Sequence, residues 1–342
     1  MFVLLYNFMS NLEIVELKEY YFGKSSRPFH YGPGLSGLIL YPNGNERWLN
    51  QKMDRVTNQT LFNGPIINKV RELVKKQKKT VIVPFGDEEL FYLNPWWSNA
   101  ADNIENNDIT WVRDSPVIDE DKYNIYKKYF GDDVIFLTVT FYKGKPSYPN
   151  VKIIPVSDSI YMDGPYQKIL ARDILPEIPY KDKLDKVVWR GGGFTHHINC
   201  KHPRLRISKM LENYEWSNVK HNDDGWNGAG KQYLPYTENF KYKINLYIDG
   251  VAGATMENWV FLTGSVVILI SDWRSFIMKE MIPWKHFVPV KTDLTDLVEN
   301  IEWIFNNPDK AEEIAISGKN KFFQLTTREY QDNVIREALD IN

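Results

Sequence analysis

The sequence predicts an α/β fold in which two Rossmann-like domains face each other across a cleft. Strand-like apolar runs alternate with segments whose apolar residues recur at helical spacing, most clearly in the second half of the chain. Such alternation is typical of parallel strands joined by crossover helices. The 342 residues also exceed the usual size of one hydrophobic core, so two domains are expected.

The first half has the less regular pattern. Its predicted elements are an amphipathic helix at 65–79 and strands at 80–85, 109–114, 133–141 and 151–157. Two segments rich in Pro, Asn and Ser, residues 92–108 and 142–150, indicate loops. We therefore expect a first domain over residues 1–165.

The second half alternates strands and helices with short connections. The predicted strands are 186–191, 239–248, 265–271 and 286–290, and the predicted helices are 204–214, 250–263, 275–282 and 293–307. The predicted helix at 293–307 begins with Asp293 in the N-cap position. These elements predict a second domain over residues 166–321, and the final helix, 322–342, is expected to pack back on the first domain.

Composition excludes some classes of protein. Lys and Arg total 42 against 44 Asp and Glu, a net charge of −2, so no basic field favours nucleic acid. Cys200 is the only cysteine, which excludes an intrachain disulfide and favours a reducing compartment. No apolar run predicts a transmembrane segment, and residues 1–10 lack a basic region or cleavage site. The expected location is cytoplasmic.

A glycine-rich turn is the first candidate site for a phosphate-bearing ligand. Arg190, Gly191 and Gly192 follow a predicted strand, where open α/β sheets bind ligands. Glycine lets the backbone approach phosphate oxygens, and arginine offers a planar fork of donors. Arg204 and Arg206 lie two residues apart on the next helix, so at most one should reach the site. The alternative is a tight turn flanked by surface arginines.

A second candidate site follows the strand at 239–248. That strand ends at Asp249 and Gly250, and small residues including Ala254 and Thr255 open the next predicted helix. A helix N-terminus without bulky side chains is a ready anion site.

Two further groups of residues invite a functional interpretation. Trp96 and Trp97 lie in a polar loop, where they could stack on a sugar or peptide; burial against the domain is the alternative. A cluster of three histidines and a cysteine has a spacing that fits none of the usual zinc patterns, so no metal site is predicted. Its residues are His196, His197, Cys200 and His202.

The order and spacing of these motifs resemble glycosyltransferase family 90, the protein O-glucosyltransferases (Rumi-like) and capsule-associated xylosyltransferases. The strand–WRG–turn and a following arginine match the family's nucleotide-sugar site. A second family pattern, close to KYxxNxDGxxxSxR and followed by GSxV, is matched by Lys241, Tyr242, Asn245, Asp249, Gly250, Gly264 and Ser265. Where the family has a serine and then an arginine, this chain has Ala254, Thr255, Met256 and Glu257.

The resemblance implies a GT-B fold and an inverting transfer of glucose or xylose from a UDP-sugar to a hydroxyl of a protein or glycan. It implies that Asp114, in a strand–RD–x–P element, is the catalytic base; Asp87 and Asp158 are competing carboxylates. The first domain would choose the acceptor, with Trp96 and Trp97 in contact with it. No cofactor and no metal are implied beyond the donor itself.

Two alternatives remain open. Met256 in place of the expected arginine favours a non-catalytic nucleotide-sugar or carbohydrate-binding protein that keeps the fold. The other is a different α/β nucleotide-sugar enzyme, such as an epimerase. An epimerase would require a GxGxxG fingerprint after an early strand, and the sequence has none.

Overall fold

The computed structural model describes residues 37–48, 65–84, 92–93, 117–118, 120–155, 176–192, 203–222, 232–250 and 253–341. The strands are β1 Gly37–Leu40, β2 Glu46–Trp48, β3 Thr80–Pro84, β4 Tyr92–Leu93, β5 Val117–Ile118, β6 Val134–Thr138, β7 Thr140–Tyr142, β8 Val151–Ile153, β9 Leu184–Gly192, β10 Ser217–Asn222, β11 Tyr242–Ile248, β12 Val266–Ile270, β13 Trp273–Ser275 and β14 Val288–Pro289.

The α-helices are α1 Pro65–Val74, α2 Glu120–Phe130, α3 Pro203–Leu211, α4 Tyr236–Asn239, α5 Phe276–Glu280, α6 Leu297–Asn306, α7 Pro308–Leu325 and α8 Arg328–Ala338. Three short 3₁₀ turns, Tyr180–Asp182, Thr255–Asn258 and Val260–Thr263, complete the described elements.

The first half forms a mixed five-stranded sheet in the order β2-β1-β3-β6-β8. β1 pairs antiparallel with β2 and β3, whereas β3, β6 and β8 run parallel. All five side chains of β6 are buried, as expected for a central strand covered on both faces.

The second half forms an all-parallel five-stranded sheet in the order β10-β9-β11-β12-β14. Its central strand β12 is a continuous apolar run, as expected where both faces of a parallel sheet are covered. Every side chain of β12 is buried, and α3, α6 and α7 supply Ile207, Ile301 and Ile314 to the same hydrophobic cluster. The predicted α/β class is confirmed.

A short antiparallel ribbon joins the two halves. β7 pairs with β13, so Thr140 lies opposite Ser275 and Tyr142 lies opposite Trp273. The rings of Tyr142 and Trp273 meet edge to face with their centroids 5.4 Å apart. Around this ribbon, residues of both halves share one hydrophobic cluster, for example Phe136 and Phe276.

The end of the chain returns to the first half. α7 packs on the second sheet, and α8 then contacts α1 and β8. Ile335, Ala338 and Leu339 share a buried cluster with Val70 of α1 and Leu38 of β1. The residues at 335–339 therefore belong to the core of the first sheet.

Three predicted elements differ from the structure. Residues 250–263 do not form an α-helix; where described, they contain the 3₁₀ turns Thr255–Asn258 and Val260–Thr263. The helix expected from 293 begins at Leu297, because the Asp293 carboxylate accepts hydrogen bonds from Thr295 and closes a separate turn. The strand expected at 133–141 divides into β6 and β7.

Among the described residues, no helix combines the length and the apolar character that a bilayer span requires.

Candidate functional site

Arg204 lies where two neighbouring strands of the second sheet end. β9 and β11 are parallel partners, so their carboxyl ends meet at one edge of the sheet. From the first turn of α3, Nη1 of Arg204 donates to the carbonyl of Gly192 at 3.3 Å and Nη2 donates to the carbonyl of Ile248 at 2.8 Å. Because ligands of open α/β sheets bind at such edges, Arg204 lies where a ligand is expected.

The Arg204 guanidinium is a charged group whose position the protein fixes. Its side chain is half-buried, and burial lowers the pKa of the guanidinium to about 10 while Asp249 and Tyr247 act in the opposite direction. At neutral pH the group remains charged, and the two carbonyls fix its position. A positive charge that is already oriented is suited to binding an anion.

Asp249 is the buried carboxyl group of the same edge. It follows β11 directly and is 8% exposed, and its Oδ2 accepts a hydrogen bond from the amide of Asp272 at 3.1 Å. Within the described part of the chain, Oδ1 has no hydrogen-bond partner. Burial raises the pKa of Asp249 to about 8, with Ser271, Arg204 and Arg274 acting against it. Oδ1 is also shielded from solvent, so it is not presented to a ligand at the surface.

Arg190 is largely occupied by the protein itself. Its Nε donates to the carbonyl of Gln232 at 2.8 Å, and Nη1 donates to the carbonyls of Trp189 at 2.8 Å and Asn218 at 2.5 Å. Nη2 donates to Oδ1 of Asn218 at 2.8 Å. These bonds fasten β9 to β10, and phosphate binding by Arg190 stays a prediction.

The glycines after Arg190 also have structural roles. A Cβ built on Gly191 would lie 2.3 Å from the indole of Trp189, which folds over that position. Gly191 is therefore required by side-chain packing, and Gly192 contributes its carbonyl to Arg204. Neither observation tests close approach of a phosphate, which stays a prediction.

Arg206 and Lys241 have partners other than those of Arg204. Arg206 is exposed and donates from Nη2 to the carbonyl of Asp293 at 3.3 Å. Lys241 precedes β11 and pairs with the carboxylate of Glu238 at 2.8 Å. It lies at the amino end of a strand whose carboxyl end leads to Asp249, and donor binding by Lys241 stays a prediction.

The segment after Gly250 is more constrained than the predicted helix. The amide of Ala254 donates to the hydroxyl of Tyr247 at 2.8 Å, so this amide is not available to a phosphate. Thr255 begins the four-residue 3₁₀ turn, which lacks the aligned dipoles of a long helix. The α-helix expected here is therefore wrong, and donor binding at Ala254 and Thr255 stays a prediction. Met256 is partly buried and packs against the two hydrophobic clusters that meet at this point.

Glu257 faces inward and its two carboxylate oxygens bind protein groups. The hydroxyl of Ser275 donates to Oε1, and the hydroxyl of Tyr247 donates to Oε2 at 3.5 Å. Burial raises the pKa of Glu257 to about 7, while Ser275, Tyr247 and Arg274 lower it. Glu257 therefore has an internal structural role, and donor binding by it stays a prediction. Tyr247 and Ser275 were not predicted; a tyrosine inside an apolar strand was the only signal in the sequence.

Several predicted residues lie outside the described residues, and their predictions stand as made. They are the proposed base Asp114, its competitors Asp87 and Asp158, the acceptor candidates Trp96 and Trp97, and the group His196, His197, Cys200 and His202. Within the described ranges, no group of three or more His, Cys, Asp or Glu side chains could hold a metal ion.

Comparison with known proteins identifies a family that this part of the chain resembles. Residues 168–331 match the model of Glycosyl transferase family 90. This segment, slightly less than half of the chain, is therefore similar to that family. The family 90 segment contains Arg204, Asp249, Tyr247 and Glu257, and it ends within α8.

The chain is also similar to curated protein O-glucosyltransferases. It is 28% identical to human protein O-glucosyltransferase 1 over 197 residues, which cover 54% of this chain and 47% of that protein. It is 27% identical to zebrafish (Danio rerio) protein O-glucosyltransferase 2 over 153 residues, 41% of this chain and 29% of that protein. With rat protein O-glucosyltransferase 3 the identity is 36% over 97 residues, 28% of this chain and 18% of that protein. The alignments thus span about half the length of these relatives or less.

Proposed function

We propose that this protein is an inverting glycosyltransferase with a GT-B arrangement. It transfers a sugar from a UDP-sugar to a hydroxyl group of a protein or glycan acceptor. The observation that supports the proposal most is Arg204, held between the ends of β9 and β11 beside the buried Asp249, in a segment of family 90. The relatives are named protein O-glucosyltransferases, which favours glucose over xylose and a protein acceptor.

In the proposed reaction, the acceptor oxygen attacks the anomeric carbon as the bond from that carbon to the UDP oxygen breaks. Asp114 takes the proton of the acceptor hydroxyl. Arg204 stabilises the negative charge that develops on the diphosphate, an interaction worth about 3–4 kcal/mol for a well-placed donor. Arginine takes the place of a metal ion in this proposal. Because the chain has a single cysteine, we propose a reducing, cytoplasmic location.

The second candidate function is a binding protein that keeps the fold without catalysis. Met256 packs into the interior at the position where the family pattern has an arginine, and Arg190 binds backbone carbonyls. Two cations expected at the donor phosphates therefore have other roles or are missing. A protein that keeps Arg204 at this edge could still bind a nucleotide sugar weakly.

The first experiment measures ligand binding and donor hydrolysis together. The purified protein is incubated with a panel of nucleotide sugars, and its thermal stability and nucleotide release are recorded. We expect UDP and one UDP-sugar to raise the melting temperature, with slow release of UDP. Arg204→Lys and Arg204→Ala should weaken UDP binding, whereas Arg206→Ala on the same helix should not. Absence of any response to nucleotides would refute the proposed function.

Asp114→Asn separates the enzyme from the binding protein. If Asp114 is the base, the variant loses transfer while its affinity for UDP stays nearly unchanged, because the donor phosphates are not its partners. Equal transfer by the variant and the original protein would remove the base assignment. Binding of a UDP-sugar without turnover by either protein, with protein and glycan acceptors present, would favour the binding function.

A further inference from the structure

A buried group of hydrogen-bonded side chains lies beneath the segment Gly253–Glu257. Its members are Tyr247 of β11, Glu257 of the 3₁₀ turn and Ser275 of β13, which we call the Tyr247 cluster. Tyr247 is 1% exposed and Ser275 is 1% exposed, so neither can touch a ligand at the surface. None of these three residues has a chemical role in the proposed reaction.

Tyr247 holds the segment at two points. Its hydroxyl oxygen accepts a hydrogen bond from the amide of Ala254 at 2.8 Å, and its proton points to Oε2 of Glu257 at 3.5 Å. A Cβ built on Gly253 would lie 3.1 Å from Cγ2 of Thr140 and 3.7 Å from the hydroxyl of Tyr247. The backbone of the segment is therefore pressed against β7 and β11.

Ser275 connects the same cluster to the ribbon between the two halves. Its hydroxyl donates to Oε1 of Glu257 and accepts from the amides of Ile277 and Met278, both at 3.1 Å, as the N-cap of α5. Ser275 is also the partner of Thr140 in the β7–β13 pair. The segment, the ribbon and the start of α5 thus share one set of hydrogen bonds.

The segment has little stability of its own. Its 3₁₀ turn has only four residues, and no side chain caps the turn at Ala254. Short 3₁₀ turns have poor hydrogen-bond geometry. A buried carboxyl group is also expensive unless it is hydrogen-bonded, so an apolar residue at 257 would fill the space at lower cost. The cluster therefore fixes a conformation that local sequence preferences do not.

We propose that Tyr247 and Glu257 are positioning residues that hold segment Gly253–Glu257 against the donor site. This proposal rests on the proposed function, because the ligand is the diphosphate of a UDP-sugar. The segment follows Asp249 at the edge where Arg204 links β9 and β11, so its conformation sets the shape of the donor site on that side. Neither Tyr247 nor Glu257 touches the donor.

Tyr247→Phe tests the proposal because it removes the hydroxyl and keeps the ring. We expect hydrogen exchange of the amides at 253–258 to become about tenfold faster in the unligated protein. The loss of one hydrogen bond to the segment shifts its local opening equilibrium by about that factor. The KM for the UDP-sugar should rise by a similar factor, and the KM for the acceptor should stay unchanged. Tyr180→Phe is the matched control, because it removes a buried tyrosine hydroxyl from the turn that precedes β9, at the opposite edge of the sheet.

Glu257→Gln provides the second variant. It keeps the shape of the side chain but offers one acceptor oxygen in place of two, so its effects should lie between those of the original protein and Tyr247→Phe. Faster exchange at 253–258 without a change in the donor KM would overturn the positioning role, as would unchanged exchange in both variants. If the original protein binds no UDP-sugar, the proposed function fails and the ligand assigned to the segment is overturned with it. The exchange data would then show only whether the cluster holds the segment.

Discussion

Asp249 and Glu257 are two buried acids in one small region of the molecule, and both have raised pKa values. Burial is the main cause for each, and the pKa reaches about 8 for Asp249 and about 7 for Glu257. Arg204 and Arg274 act against the rise at Asp249, and Arg274 does so at Glu257. At neutral pH a substantial fraction of both groups is therefore protonated. This is unusual for carboxyl groups and typical of functional regions.

The raised pKa values predict that the protein becomes less stable as pH rises from about 5 to 8.5. Between the unfolded and folded pKa values of each acid, the folded chain binds more protons than the unfolded chain, so the free energy of unfolding decreases with pH. For Glu257, a rise from 4.5 to about 7 corresponds to about 3 kcal/mol at most. Glu257→Gln and Asp249→Asn should each reduce the fall in melting temperature across this range.

The control for this prediction is an exposed acid with the opposite shift. Hydrogen bonds from Thr295 lower the pKa of Asp293, so it stays ionised throughout the range in both folded and unfolded chains. Asp293→Asn should leave the pH dependence unchanged. A melting temperature that rises towards pH 8.5 in the original protein would contradict the assigned direction for both buried acids.

Sequence reasoning at the residue scale succeeded where spacing fixes geometry. Two arginines placed two apart on a helix point to different faces, and Arg204 alone reaches the strand ends. It did not show that Lys241 lies at the amino end of β11, because a motif match does not reveal at which end of a strand a residue lies. It also missed the contact between Tyr247 and Ser275 through Glu257, since partners so far apart in sequence meet only in the folded chain.

At the scale of elements, the region before β12 shows how tertiary contacts override local preference. Residues 250–263 have few helix breakers, and an α-helix was predicted. In the structure, Trp259 has a φ of −141° and separates two short turns. Gly264 then ends the second turn with a φ of 63°, in the left-handed region that favours glycine. Buried residues on both turns, Glu257 and Phe261 among them, determine this shape.

Gly318→Ala in α7 should destabilise the protein, although helix propensity alone predicts stabilisation. Glycine inside a helix usually costs about 1 kcal/mol relative to alanine, so Gly→Ala normally stabilises. Here a Cβ would lie 2.3 Å from the carbonyl oxygen of His286, a backbone atom that cannot rotate away. Gly318→Ala should therefore lower the free energy of unfolding by about 1–3 kcal/mol, measured by urea denaturation.

Ile316→Ala is the matched control on the same helix. Ile316 is half exposed, so its truncation should change the free energy of unfolding by less than about 0.5–1 kcal/mol. A Gly318→Ala variant as stable as the original protein, or more stable, would show that α7 can move away from the loop before β14 at no cost.

At the scale of the whole molecule, the second sheet was predictable and the first was less so. Buried parallel strands such as β12 are continuous apolar runs, which the sequence displays directly. The first sheet begins with the antiparallel pair β1 and β2, which was not predicted, because a short edge strand such as Glu46–Trp48 has no distinctive pattern. The parallel strands β3, β6 and β8 were predicted to within a few residues.

α8 links the two halves of the chain, and a substitution in its buried face tests this link. Ile335 and Leu339 are fully buried beside Val70 and Leu38, so α8 completes the core of the first sheet although it follows the second sheet in the chain. Ile335→Ala should lower the free energy of unfolding by about 2–5 kcal/mol. Hydrogen exchange in the unliganded protein should increase in α1 and β3 more than in β11 or β12.

Asp340→Asn separates burial from charge at this contact. Asp340 pairs with Lys79 at 2.8 Å on the surface, and exposed pairs contribute about 0–1 kcal/mol, so this variant should change exchange in α1 and β3 very little. An equal increase in both sheets after Ile335→Ala would mean that the halves unfold as one unit. In that case the cluster shared by Phe136 and Phe276 around the β7–β13 ribbon, rather than α8, would dominate the coupling between the two sheets.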